Sequence, residues 1–238
     1  MTNALPGEPP AGMSKRAARK RQRNAELAGT SLRRALRTAS PSGAAVIVGG
    51  ALMVLWAVVG VDALLDHRLL RFGIKPREIA GLVGIVASPF VHADVGQLAA
   101  ETVPFAVLCW LMLISGGRYF AIVTLAVGLV SGLTAWLAAP AHTVILGCSG
   151  LIFGWMGYVV ARAWFGRKIR WIAIAVAVVC IFSGTFSGLL PKLHANVFWG
   201  DHLAGFLAGL IVGAVLHASA RKPGRRAGLR PNTSILDR

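Results

Sequence analysis

Six long apolar runs constrain this chain more than any other feature: Ala44–Val61, Val95–Ser115, Tyr119–Ala139, Leu146–Ala163, Trp171–Leu190 and Val197–Leu216. Each approaches the ~20 residues that an α-helix needs to cross a bilayer. In hydrocarbon every backbone N–H and C=O must pair within the protein, so runs of this kind fold as helices. The expected fold class is therefore all-α, a polytopic membrane protein built as a six-transmembrane-helix bundle. A seventh run, Ile79–Val91, contains Pro89 and is too short to cross; it reads as re-entrant or interfacial.

Composition supports that choice. Only 14% of the 238 residues are charged, against about 25% in a soluble domain. A soluble enzyme lacks its surface here, and a disordered chain would not be this apolar. Yet the net charge is +16. The basic residues crowd the ends, which divides the chain into a basic, disordered tail (1–42), a membrane domain (43–220) and a second basic tail (221–238). The tails lack aromatic residues and the centre has no polar groove, so nucleic acid is not the expected partner. The opening stretch is polar for roughly forty residues, unlike a signal peptide.

The loops give a direction. Alternating sides along six spans puts 20 of the 25 Lys and Arg on the side of both termini. Basic loops face the cytoplasm, so both termini are expected there, in the plasma membrane, with anionic lipid attracted to the tails. Spans two, four and six then all start at the outer face. Their first residues lie at one depth.

Polar residues collect at that depth. Span four opens with Gly147-Cys148-Ser149-Gly150, span six with Trp199-Gly200-Asp201-His202, and span two with His92, Asp94, Gln97 and Glu101. An intramembrane polar group is a functional candidate by default. A serine hydroxyl needs a base to become a nucleophile, and His202 is the candidate base. The N–H groups at a helix start supply oxyanion donors. Gly150, Gly154 and Gly157 share one helix face, and His202, Gly205 and Gly209 share another. Two small faces let helices approach closely.

Other polar groups read differently. Cys148 points about 100° from Ser149 on a helix and is a small spacer. Cys109, Cys148 and Cys180 form neither a disulfide framework nor a zinc motif. Asp201 either tunes His202 or is a solvated interfacial carboxylate. His142 and His194 fall in outer loops, and Trp136, Trp171 and Trp199 fit an interfacial belt. A small transporter is a rival class, but it predicts broken helices near the midplane.

These motifs carry a resemblance over roughly Ala44–Leu216. Gly147-Cys148-Ser149-Gly150 resembles the GxSG motif of rhomboid intramembrane serine proteases, and the run from His202 to Gly209 resembles their HxxGxxxG final helix. His92-Ala93-Asp94 is similar to the segment that opens their second span, in the manner of bacterial, actinobacterial members. The resemblance implies a Ser149–His202 dyad, no metal or cofactor, and single-span membrane proteins as substrates. It implies dyad packing by Gly150, Phe153, Gly205 and Gly209, with Phe153 standing where a tyrosine is frequent. His92, Gln97, Glu101 and Gly147 would position substrate and oxyanion. The family's usual donors there are histidine and asparagine, so Gln97 and Glu101 are departures. Gln97 keeps an N–H donor, whereas Glu101 must be protonated to donate or must pair with His92 or His202. A weak or inactive relative that binds transmembrane segments is the alternative function, and oligomeric state is left open.

Overall fold

A computed structural model describes residues 40–182 and 198–219 of the chain. Residues 1–39, 183–197 (with His194) and 220–238 lie outside the described residues. Among the described residues six long helices carry the fold: α1 (Pro41–Leu64), α2 (Val95–Ser115), α3 (Gly117–Ala138), α4 (Ser149–Gly166), α5 (Ile169–Ile181) and α6 (Trp199–Ser219). The chain is an all-helical, polytopic membrane protein.

Local chemistry sets the ends. Ser40 caps α1 by accepting the Gly43 N–H at 3.0 Å, with Pro41 in the first turn, where its missing N–H does no harm. Asp94 caps α2 by accepting the Gln97 N–H at 2.7 Å. Gly116, at φ 137°, makes the tight turn from α2 into α3. Pro104 sits inside α2 without ending it.

Among the described residues four helices, α1, α2, α3 and α6, are long and apolar enough to cross a membrane. The other two expected spans correspond to α4 and α5. α4 is the central helix: Ile152, Phe153, Trp155, Met156, Tyr158 and Val159 are all buried. A helix surrounded by protein needs no lipid-grade surface, so it tolerates glycines and Arg162. The helix α5 covers Ile169–Ile181, and residues 183–190 of the expected fifth span lie outside the described residues. By contrast α1 buries one stripe, Ala44, Val48, Leu55 and Val59, and exposes Val46, Ile47 and Met53. That outer face is suited to lipid.

The apolar run after α1 forms short helical turns, Ile79–Val83, Gly84–Ala87 and Ser88–Phe90, rather than a span. Long-range bonds hold this segment between α1 and α2. The Arg77 N–H donates to Trp136 O, and Arg77 Nη1 donates to Leu137 O and Ala139 O, all at 2.9 Å. Trp136 Nε1 donates to Glu78 O at 2.8 Å. Ile74 and Ile145 pair their backbones. These ties fix the loop that leads into α4. Trp171, expected at the interface, is instead buried under the Arg162 guanidinium, 3.9 Å from its ring centroid. His142 is exposed and Cys180 is exposed, while Cys109 and Cys148 are buried.

Candidate active site

The first turns of α2, α4 and α6 meet. Ser149 opens α4 after Gly147, whose φ is 101°. That conformation favours glycine. A Cβ there would also overlap the Gln97 amide. The Gly147 N–H donates to both Ser88 O (3.0 Å) and Val91 O (2.8 Å), so the segment between α1 and α2 aims Ser149.

Ser149 Oγ lies 2.8 Å from His202 Nε2. With Nε2 unprotonated, the hydroxyl donates to it and the ring can take the proton. His202 is buried. Phe153, one turn along α4, stacks on its ring with centroids 4.5 Å apart and planes at 24°. The pair is thus held from two sides of one helix turn.

Backbone contact brings the two helices together. A Cβ on Gly205 would overlap the Gly150 carbonyl oxygen, and one on Gly209 would overlap that of Gly154. A Cβ on Gly157 would meet Phe206 O. Side chains at these sites would push α6 away from α4 and lengthen the Ser149–His202 distance.

Asp201 requires a correction. It is 7% exposed, not a solvated carboxylate. One oxygen accepts the His202 N–H at 2.9 Å and lies 3.9 Å from His202 Nε2. With Ser88, Ser131, Gly147 and Gly150 it lines a cavity of about 20 Å³, large enough for one water. Ser131 had escaped sequence reasoning. Its only sequence signal is the small pair Ser131-Gly132 within an apolar span.

The departures at positions 97 and 101 form a network of their own. Gln97 Nε2 donates to Leu146 O and to Glu101 Oε1, both at 3.1 Å, and Gln97 Oε1 accepts the Ala93 N–H at 2.8 Å. Both amide protons are engaged, so in this geometry Gln97 braces the loop. Glu101 Oε2 accepts the Cys148 N–H at 2.9 Å and the Cys148 thiol at 3.0 Å. His92 Nε2 lies 3.4 Å from the same oxygen. Surrounded by donors, Glu101 acts as an acceptor, which corrects the protonated-donor expectation. Its histidine partner is His92.

The fold is thus a bundle of membrane helices whose converging helix starts bring a serine hydroxyl against a histidine ring. Residues 80–219 match the Rhomboid domain model. The chain belongs to the rhomboid family, whose members are generally intramembrane serine proteases. It is similar to uncharacterised proteins of Mycobacterium tuberculosis and Mycobacterium bovis, each 33% identical over 171 residues, 67% of this chain and 71% of theirs. A Mycobacterium leprae protein, also uncharacterised, is 33% identical over 159 residues, 64% of this chain and 63% of its own length.

Proposed function

We propose that the chain is an intramembrane serine endopeptidase that uses Ser149 as nucleophile and His202 as general base. The 2.8 Å contact between Ser149 Oγ and His202 Nε2 carries this reading. Ser149 Oγ attacks the scissile carbonyl while its proton passes to His202. The developing oxyanion lies near the unpaired N–H groups of the first turn of α4. Collapse passes the proton to the leaving amine and leaves an acyl ester on Ser149. Water, deprotonated by His202, hydrolyses that ester. None of these steps calls on a metal or cofactor. The substrates are single-span membrane proteins whose helix unwinds near the outer face, since a scissile carbonyl must leave its helical hydrogen bond. The charge asymmetry of the loops supports cytoplasmic termini and a plasma-membrane location, with anionic lipid at the tails.

One observation favours a second reading, a weak or inactive relative that binds transmembrane segments. Glu101 already occupies the Cys148 N–H, and both Gln97 amide protons are engaged. Reconstituted protein given a helix-destabilised single-span substrate separates the two. Cleavage abolished by Ser149→Ala and by His202→Ala supports the protease. Binding without cleavage, and no labelling of Ser149 by a fluorophosphonate, supports the second reading.

A further inference from the structure

Beside the serine–histidine pair lies a second cluster that the peptidase reading does not use. His92 Nε2, a Glu101 carboxylate oxygen and Cys148 Sγ all lie within 4.8 Å of one another. His92 carries the weight of the observation. Its side chain is 0% exposed, and neither ring nitrogen has a hydrogen-bond partner among the described residues. The 3.4 Å approach of Nε2 to Glu101 lacks hydrogen-bond geometry. Nε2 still faces the Glu101 carboxylate at ion-pair distance, but Nδ1 faces no partner among the described residues, and leaving such a buried group unsatisfied costs about 1–3 kcal/mol.

We infer that His92, Glu101 and Cys148 form a binding site for a borderline transition-metal ion of the Zn²⁺ class. The donor set is one imidazole nitrogen, one carboxylate oxygen and one thiolate, the three ligand types that Zn²⁺ takes. Tetrahedral Zn²⁺ places nitrogen and oxygen ligands about 3.4 Å apart, and sulfur about 3.6 Å from either. The His92–Glu101 separation of 3.4 Å already fits, and the Cys148–Glu101 separation of 3.0 Å needs to open by roughly half an ångström. Three protein ligands leave a fourth position for water.

A cavity of about 290 Å³ lies beside the site, lined by His92 with Asp62, His67 and Asp94. His67 and Asp94 are exposed, so the cavity opens to solvent, while the His92 ring itself is 0% exposed and must turn to admit an ion. The two carboxylates of the cavity favour a cation. Binding converts the thiol to a thiolate and releases one proton. The ion would fix the start of α4, because Cys148 immediately precedes Ser149. Metal binding is independent of whether the serine–histidine pair hydrolyses peptides.

The test is a Co²⁺ titration of the purified full-length protein in detergent, with Co²⁺ standing in for Zn²⁺. The expected result is a near-ultraviolet thiolate-to-cobalt band, tetrahedral visible bands, saturation at one ion per chain and displacement by Zn²⁺. Cys148→Ser abolishes the near-ultraviolet band, and His92→Ala and Glu101→Gln each weaken binding by about tenfold or more. The double variant Cys109→Ser/Cys180→Ser keeps Cys148 as its one thiol and retains the band, which reports on the site even where Cys148→Ser fails to fold. The proposal is overturned if wild type and this double variant give no band, if the band survives Cys148→Ser, or if neither His92→Ala nor Glu101→Gln weakens binding.

Discussion

Glu101 Oε2 accepts the backbone N–H of Cys148 at 2.9 Å, one residue before Ser149. The same carboxylate also accepts hydrogen bonds from the Gln97 amide and from the Cys148 thiol. A glutamine at position 101 has one acceptor oxygen and brings an NH₂ that must face other donors. Glu101→Gln is therefore expected to destabilise the fold by about 1–3 kcal/mol. The apparent midpoint of thermal unfolding in detergent should fall by roughly 2–12 °C, and substrate cleavage should slow. An unchanged midpoint would mean that these bonds do not hold the loop.

Gly209 faces the Gly154 carbonyl with no room for a methyl group. Gly209→Ala forces α6 off α4, an overpacking that costs roughly 1–3 kcal/mol. It also lengthens the dyad contact, so the cleavage rate falls further than stability alone predicts. Gly60→Ala is the control, since a Cβ at Gly60 meets nothing within 4 Å. Rates measured on both folded variants check this: equal rates would show that the close approach does not set the Ser149–His202 distance.

Much of this arrangement can be read from the sequence. Apolar length gives the helices, loop charge suggests which helix starts share a depth, and glycine spacing marks the close faces of α4 and α6. What escapes is long-range. Periodicity reports which residues share a helix face, not that Glu101 meets Cys148, 47 residues away. Asp201 follows Trp199-Gly200 and so reads as interfacial. Its burial comes from packing beside Ser131 and Gly150 on two other helices. Trp171 reads as a belt residue because its cover, Arg162, lies on a different helix. The central position of α4 is hidden for the same reason: its sequence shows only a less apolar span, not what surrounds it.

Phe153 stacks on His202 without offering a hydroxyl. Aromatic stacking of this kind is worth about 0.5–1.5 kcal/mol. Phe153→Leu removes it and is expected to lower the cleavage rate by up to about tenfold. Phe153→Tyr keeps the ring and should stay close to wild type. Steady-state cleavage of one substrate by the three proteins decides: if leucine performs as well as tyrosine, the ring does not position His202.

Arg77 joins the segment between α1 and α2 to the end of α3, and two of its features pull in opposite directions. Its guanidinium caps the carbonyls of Leu137 and Ala139, groups that the helix itself leaves unpaired. A cation at a helix C-terminus is also favoured by the dipole. Its backbone, however, is left-handed at φ 61°, a conformation that costs an L-residue roughly 1–2 kcal/mol. Arg77→Ala loses the cap and keeps the strain, so it should be destabilised by about 1 kcal/mol. Arg77→Gly loses the cap but relieves the strain, and should unfold closer to the wild-type temperature. Thermal unfolding of the two variants side by side measures the balance. If alanine proves as stable as glycine, the left-handed backbone at residue 77 carries no measurable strain.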